Sequence, residues 1–153
     1  MACVTQPEIR LARREDIDLM LALERQAGTA AHWSRAQYEA IFQPQGPSRL
    51  AFIVEDGGVQ GFLVAQTAGP EWELENIVVA PPSRRRGLAK QLVQELLRQA
   101  RQRGAAAIVL EVRASNAAAI VLYQTCGFVR FGSRQRYYQD PQEDAIIYRL
   151  RLE

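Results

Sequence analysis

The amino-acid sequence predicts an α/β (α+β) fold in which a central mixed sheet of about seven strands is flanked by about four helices. Strand-like segments and segments of helical periodicity follow one another in the order β-α-α-β-β-β-α-β-α-β-β. Breaks rich in Gly and Pro separate several of them. With 153 residues, 48% of them hydrophobic and 24% charged, the chain is long enough to bury one core. We therefore expect a single domain spanning residues 1–153.

The N-terminal third predicts one short strand and two helices. Residues 8–12 are typical of a strand, and residues 16–26 place apolar side chains at helical spacing. Ser34 followed by Gln37 matches a capping box, which predicts a second helix ending near Phe42.

The middle of the chain predicts three consecutive strands. Residues 50–55 and 59–67 are rich in β-formers around Asp56-Gly57-Gly58, which indicates a hairpin. A third strand over residues 72–79 ends at Pro81-Pro82.

The second half alternates helices and strands. An apolar stripe predicts a helix over residues 87–103, with Gly104 as its C-terminal glycine. The remaining elements are predicted as a strand at 107–112, a helix at 116–125 and strands at 128–133 and 145–152.

Composition excludes several classes of protein. The two cysteines, Cys3 and Cys126, and the single histidine, His32, lack the spacing of metal ligands, so we expect no metal site. A formal net charge of +2 is too small to indicate nucleic-acid binding. No long uncharged apolar run or secretory leader is recognisable, and a cytoplasmic protein is expected.

The strongest chemical signal lies where a strand passes through an arginine-rich turn into the long helix, at residues 76–89. The first N–H groups of a helix have no partners within it, and the helix dipole adds positive potential there. Small residues at Gly87 and Ala89 let an anion approach the backbone, which suits a phosphate or pyrophosphate. The alternative is a solvated arginine turn before an ordinary helix.

This segment resembles the (Gln/Arg)-x-x-Gly-x-(Gly/Ala) motif of the GNAT acetyltransferases, through Arg84, Gly87 and Ala89. The resemblance implies acetyl-CoA as co-substrate and a mostly antiparallel sheet. It assigns the pantetheine arm to one strand and the pyrophosphate to the helix start. The residues implied are Ile77, Val78 and Val79 for the arm, and Arg85, Arg86, Gly87, Leu88, Ala89 and Lys90 for the pyrophosphate.

Residues 110–128, LEVRASNAAAIVLYQTCGF, resemble the RimI branch of that family. Matches at 134–138 and 144–147, and at Leu23-Glu24 and Trp33-Ser34, extend the resemblance over nearly the whole chain. Enzymes of this branch acetylate the N-terminal alanine of small-subunit ribosomal protein 18. The resemblance therefore implies a protein α-amine as acceptor, with a ribosomal protein as partner.

Acetyl transfer from a thioester needs a neutral amine and a proton for the leaving thiol. An α-amine, with a pKa of about 8, needs less help to deprotonate than a lysine at about 10.4. Glu111 interrupts an apolar strand, where a charge is costly unless it is paired or faces a wet cleft. The resemblance makes Glu111 the general base and Tyr123 the proton donor, and places Asn116 against the coenzyme.

Each of these residues has a structural alternative. Glu111 would pair with Arg113 or Arg136, Tyr123 would be a core aromatic, and Asn116 would cap a helix. Glu73 and Glu75 are the alternative bases, because some relatives place theirs on that strand.

The acceptor side departs from the family pattern at His32, Arg35 and Gln139. We expect four residues to grip a basic N-terminal peptide: Glu24, Tyr137, Tyr138 and Asp144. Three other functions stay open: acetylation of lysine or a small amine, non-catalytic acyl-CoA binding and, more remotely, nucleic-acid binding.

Overall fold

The computed structural model of the protein describes residues 6–27, 32–84 and 86–152. Seven strands and four helices occur in these residues, in the order that the sequence predicts. The strands are β1 (Glu8–Leu11), β2 (Arg49–Glu55), β3 (Val59–Gln66), β4 (Glu71–Val79), β5 (Ala107–Arg113), β6 (Val129–Tyr138) and β7 (Glu143–Arg151). The helices are α1 (Ile17–Gln26), α2 (Arg35–Ala40), α3 (Leu88–Gln102) and α4 (Ala117–Thr125).

All seven strands form one sheet in the order β1-β2-β3-β4-β5-β7-β6. Every neighbouring pair is antiparallel except β4 and β5, which run parallel. The helix α3 supplies the crossover that a parallel pair requires. The predicted mixed, mostly antiparallel sheet is therefore confirmed.

Helices cover the sheet on both faces and create two apolar cores. The α3-side core joins α3, through Leu92 and Leu96, to strand residues such as Ile108 and Tyr148. The α1-side core packs Met20 of α1 against residues of β2, β3 and β4. Each strand contributes side chains to both cores, because successive side chains of a strand point to opposite faces of the sheet.

A β-bulge in β4 interrupts the regular alternation of its side chains between the two cores. Val64 of β3 pairs with Asn76, whereas the next residue, Ala65, pairs with Leu74, so Glu75 has no partner on β3. Leu74 packs in the α3-side core before the bulge, and Ile77 packs there after it. One extra residue thus shifts the alternation and bends the strand.

The parallel pairing of β4 with β5 is short. It comprises three residue pairs and ends at Glu73 with Val109. Beyond this point β4 continues to Val79 and β5 to Arg113 without pairing to each other. The sheet therefore opens into a cleft between the two strands.

Local signals account for the helix ends. The Ser34 hydroxyl accepts from the Gln37 N–H at 3.3 Å, while the Gln37 side chain accepts from the Ser34 N–H at 2.8 Å. The predicted capping box is therefore confirmed. Strand β6 is longer than predicted, because shifts in register with β7 let it continue from Ser133 to Tyr138.

Asp16, which is 5% exposed, links β1 to the start of α1. Its carboxylate accepts two hydrogen bonds of 2.8 Å from the Arg10 guanidinium and one of 2.7 Å from the Arg13 N–H. The Arg10 hydrogen bonds, against the effect of burial, lower the pKa of Asp16. The ionised carboxylate therefore stabilises the fold above its unfolded pKa of about 4, and this contribution is lost as pH falls through the lowered folded pKa.

Replacing Asp16 with Asn should lower the free energy of unfolding by about 2 kcal/mol at pH 7, because charged hydrogen bonds are lost. Urea unfolding at several pH values measures this, and the deficit should shrink as pH falls below about 4. Asp18→Asn is the control, since Asp18 pairs with Arg35 through a side chain that is 81% exposed. A deficit for Asp16→Asn that does not vary with pH would contradict the assignment.

Candidate active site

The opening between β4 and β5 is a cleft of ≈ 910 Å³ that passes through the sheet. On the α3 side it is lined by the first turn of α3 and by α4. On the α1 side it is lined by Trp33, Glu73, Glu111 and the tyrosines of β6. The two sides differ in the charged groups that they present.

The α3 side presents an uncapped helix N-terminus. Gly87 is the N-cap residue, at φ 76°, and no side chain caps the helix there. The first N–H with a helical partner is that of Gln91, so the N–H groups of Leu88, Ala89 and Lys90 are left for a ligand. A glycine suits this site because φ is positive, while a Cβ there would meet open space.

The arginine-rich turn adds positive charge around this helix start. Arg84 donates from Nε to the Val79 carbonyl at 3.4 Å, and Arg86 pairs with Asp56 of the β2–β3 turn. The prediction for Arg85 lies outside the described residues. The helix dipole adds positive potential to that of the arginines, so this end fits an anionic group.

Ile77, Val78 and Val79 lie on the edge of β4 that has lost its pairing with β5. Ile77 and Val79 lean toward the α3-side core, whereas Val78 is buried in the α1-side core. Unpaired backbone groups along a strand edge can hydrogen-bond an extended ligand that carries amides. All three residues line the cleft, and their contact with a pantetheine arm stays a prediction.

The two α4-side residues singled out by the sequence also line the cleft. Tyr123 is 5% exposed, its ring lies 5.8 Å from Phe128, and burial raises the pKa of its hydroxyl. Asn116 caps α4, since its side chain accepts from the Ala119 N–H at 3.3 Å. Its capping role, one of the alternatives above, is therefore present, and its contact with a coenzyme stays a prediction.

Glu111 faces the opposite side of the cleft from Tyr123. Ile108 and Leu110 of β5 point into the α3-side core, so the alternation turns Glu111 toward the α1 side. Its carboxylate lies 2.9 Å from Arg134 Nε. The structural alternative named the wrong partners: Arg113 pairs with Glu143 at 3.4 Å, and it is Arg134 that pairs with Glu111.

Tyr137 and Tyr138 lie beside Glu111 at the end of β6. Their rings are 5.1 Å apart and nearly perpendicular, and Tyr137 is 48% exposed. The negative charge of Glu111 raises the pKa of Tyr137, and burial raises the pKa of Tyr138 to about 12. Both phenols therefore stay protonated at neutral pH and can donate hydrogen bonds to an acceptor.

Two further carboxylates on β4 make this side of the cleft acidic. Glu75, the bulged residue, pairs with Arg49 at 2.7 Å. Within the described residues Glu73 has no ion-pair partner. Burial, and then the negative charges of Glu75 and Glu111, raise the pKa of Glu73. An ionised Glu73 is therefore unfavourable in the folded protein.

Glu73→Gln should stabilise the protein at pH 8 relative to the unsubstituted chain. The raised folded pKa means that ionisation of Glu73 reduces stability as pH rises above the unfolded value of about 4. Glu75→Gln should have the opposite sign, because it removes the partner of Arg49. Melting temperatures of both variants from pH 4 to pH 8 check this, and a lower melting temperature for both at pH 8 would contradict it.

Two residues expected to grip a peptide do not line this cleft. Glu24 is 4% exposed in α1, and its carboxylate accepts hydrogen bonds from Trp33, Tyr38 and Asn76. Asp144 is exposed, and its carboxylate accepts from the Arg136 N–H at 2.9 Å. Both carboxylates therefore hold neighbouring parts of the chain, and their contact with a peptide stays a prediction.

Trp33 lines the α1 side of the cleft, and Arg49 and Arg134 pair with carboxylates there, but none of the three was predicted as a site residue. The Arg49 guanidinium lies 5.7 Å from the Trp33 ring centre and also pairs with Glu75. The one signal in the sequence was for Arg134, which stands three positions before Tyr137 within the 134–138 segment that resembles the RimI branch.

Among the described residues, no cluster of His, Cys, Asp and Glu could hold a metal ion. None of the helices in those residues combines the length and apolar character needed to cross a membrane.

Comparison with known proteins places the chain in a family. The model of the acetyltransferase (GNAT) family matches residues 17–128. The ribosomal protein bS18-alanine N-acetyltransferase of Escherichia coli K12 is 39% identical over 128 residues, covering 82% of this chain and 84% of that protein.

Solved structures agree with that placement. The crystal structure of the Escherichia coli ribosomal-protein-S18-alanine N-acetyltransferase has a TM-score of 0.85 at 34% identity, over 97% of this chain and 95% of that one. The yncA protein of Salmonella typhimurium, solved with its cofactor acetyl-CoA, has the same fold, with a TM-score of 0.80 at 22% identity over 97% of this chain and 95% of that one. The chain therefore belongs to the GNAT family of N-acetyltransferases, which use acetyl-CoA.

Proposed function

We propose that this protein transfers the acetyl group of acetyl-CoA to the α-amino group of a protein N-terminus. The observation that carries the proposal is the charge difference across the cleft. Its α3 side has a helix N-terminus and arginines, which suit an anionic coenzyme. Its α1 side has three carboxylates and two arginines paired with them, which leaves one negative charge in excess when Glu73 is ionised and suits a cationic amine. The reactants would meet where β4 and β5 separate.

The alanine N-terminus of small-subunit ribosomal protein 18, or a similar peptide, is the proposed acceptor. The name of the Escherichia coli relative supports this choice, since the match covers most of both chains. This acceptor implies a ribosomal protein as partner and a cytoplasmic location. The exposed Tyr137, with Tyr138 beside it, would contact the peptide backbone.

Acetyl-CoA supplies an acetyl group activated as a thioester, and the residues of the α3 side fit its anionic end. The N–H groups of Gly87 to Lys90, with Arg85 and Arg86, would bind the pyrophosphate. The unpaired edge of β4 at Ile77 to Val79 would bind the amides of the pantetheine arm, with Asn116 contacting it from α4. A backbone N–H near Val79 would polarise the thioester carbonyl.

Glu111 and Tyr123 would move the two protons of the reaction. Glu111, directly or through one water, takes a proton from the α-ammonium group, and the neutral amine nitrogen then bonds to the acetyl carbon. The carbon–sulfur bond breaks, and Tyr123 donates its proton to the leaving thiolate. The raised pKa of Tyr123 keeps the phenol protonated until then. The nitrogen, now bonded to the acetyl carbon, gives up its second proton through water, which restores the Tyr123 phenol, and the proton on Glu111 passes to solvent. Glu111 lies on the α1 side, where the amine would bind, and Tyr123 lies on the α3 side, where the thiol of the coenzyme would leave.

The test is release of free thiol from acetyl-CoA in the presence of a basic peptide that begins with alanine. The control is the same peptide with a blocked N-terminus and its internal lysines intact. Release with the free terminus alone supports the proposal, while equal release from both peptides means that lysine is the acceptor.

A small-molecule amine is the second candidate, favoured by the carboxylates of the α1 side, which would attract any cationic amine. Release with a polyamine but with neither peptide would select it. Binding of acetyl-CoA without turnover on any amine would reduce the protein to a binding module.

A further inference from the structure

A buried carboxylate connects three elements behind the α1 side of the cleft. Glu24 Oε1 accepts from the Trp33 N–H at 2.7 Å, from the Tyr38 hydroxyl at 2.8 Å and from Asn76 Nδ2 at 3.3 Å. Asn76 Nδ2 also lies 3.1 Å from the Tyr38 hydroxyl. One oxygen atom of α1 therefore binds the segment before α2, the helix α2 and the strand β4.

Within the described residues no Lys or Arg pairs with Glu24, so hydrogen-bond donors alone compensate its charge. Losing any of the three donors would leave the buried carboxylate short of a hydrogen bond, which costs free energy. The network therefore restrains the donors as well as the carboxylate. The geometry of Glu24 is thus coupled to the backbone at Trp33.

The backbone at Trp33 needs this restraint. His32, the residue before it, has φ 58°, in the left-handed region that costs a residue other than glycine some free energy. The Trp33 ring lies 5.3 Å from Tyr38 and lines the cleft, with the Arg49 guanidinium 5.7 Å away. Arg49 in turn pairs with Glu75 in the bulge of β4.

We propose that Glu24 is a positioning residue for the acceptor: it fixes Trp33 and Asn76 by accepting hydrogen bonds, and so sets the affinity for the acceptor peptide without touching it. The proposal rests on the proposed function for the identity of that acceptor. The other possibility is that the negative charge of Glu24 attracts a cationic acceptor. Glutamine separates the two, because its carbonyl oxygen can accept the same three hydrogen bonds without a charge.

Steady-state kinetics of Glu24→Ala and Glu24→Gln test the proposal. Glu24→Ala should raise KM for the acceptor peptide about tenfold, because a wall of the site is no longer held in place, with KM for acetyl-CoA unchanged. Glu24→Gln should keep the acceptor KM within about threefold of the original value. Equal impairment of the two variants would overturn positioning in favour of charge, and a parallel rise in both KM values would reduce Glu24 to a residue of general stability.

A second variant tests the network if Glu24→Ala does not fold, and a fluorescence measurement without substrate tests the position of Trp33. If Glu24→Ala does not fold, Tyr38→Phe removes one donor and keeps the ring; it should raise the acceptor KM about threefold, and no change would count against the network. Acrylamide quenching of tryptophan emission tests Trp33 directly. The other tryptophan, Trp72, is buried in the α3-side core.

The quenching measurement also separates failure of the positioning role from failure of the proposed function. Quenching should increase in Glu24→Ala and stay unchanged in Glu24→Gln, because only the latter keeps the Trp33 hydrogen bond. If the unsubstituted protein does not acetylate the alanine peptide, the proposed acceptor is wrong, and quenching still tests positioning. If the peptide is acetylated but quenching is unchanged in Glu24→Ala, the positioning role is wrong.

Discussion

Replacing Glu111 with glutamine is expected to lower kcat for peptide acetylation by about 10²- to 10⁴-fold, the range that loss of a general base produces. Glutamine keeps the shape of the side chain but cannot take the proton of the α-ammonium group. The residual rate should rise steadily with pH, because the amine must then lose its proton to solvent. Initial rates at saturating acetyl-CoA between pH 6 and pH 9 measure both effects, and binding of acetyl-CoA should stay unchanged.

Arg134→Gln is the matched control for this substitution. It removes the 2.9 Å ion pair with Glu111 while leaving the carboxylate in place. If Glu111 is the base, Arg134→Gln should retain far more activity than Glu111→Gln. Similar, small losses in the two variants would mean that Glu111 has only the structural role of an ion-pair partner, and Glu73 would then be the next base to test.

Gly87→Ala is expected to raise KM for acetyl-CoA at least about tenfold, because a small displacement of the binding N–H groups is costly. Gly87 has φ 76°, so alanine would either be strained there by about 1 to 2 kcal/mol or change the backbone at the start of α3. The added methyl group meets no atom within 4 Å, so any effect comes from backbone conformation. Acetyl-CoA titration at a fixed peptide concentration measures the change.

Gly104→Ala provides the same change at the other end of α3. Gly104 has φ 78° and likewise open space where a Cβ would lie, but it is far along the chain from the proposed pyrophosphate site. Both variants should lose similar stability in urea unfolding, whereas KM for acetyl-CoA should change in Gly87→Ala alone. An equal rise in KM for both would indicate general loosening of the protein and would refute the assigned role of the helix start.

Much of the fold could be predicted from the sequence because its signals are local. The apolar stripe of α3, the Ser34–Gln37 box and the glycine turn at residues 56–58 each involve neighbours in the chain, and each appears in the structure. The end of β6 could not be predicted in this way. Its continuation to Tyr138 depends on register shifts against β7, and register is a property of two strands together.

In the candidate site too, features set by neighbouring residues could be predicted, and features set by residues far apart in the chain could not. Residues 87–90 at the start of α3 and residues 77–79 on β4 line the cleft, since one continuous motif contains them, whereas Arg86 of the same motif does not line it. The pairing of Glu111 with Arg134 and the hydrogen-bond partners of Glu24 were missed, because they join residues far apart in sequence. The burial of Glu24 does have a local signal, since Ile17, Met20, Leu21 and Glu24 follow the i, i+3, i+4, i+7 spacing of one helix face. The chemical roles of the site residues remain predictions.

The bulge at Glu75 adds one residue to β4, and this residue affects the shape of the sheet. If this one residue were absent, strict alternation from Leu74 would still direct Asn76 toward Glu24 and Ile77 toward α3, as they are now. The extra residue is therefore not required by either core. What it adds is curvature, and curvature turns β4 away from β5 after Glu73. Without this one residue, β4 and β5 would stay paired along their length and the sheet would have no cleft. With it, the sheet has room for two reactants between these strands.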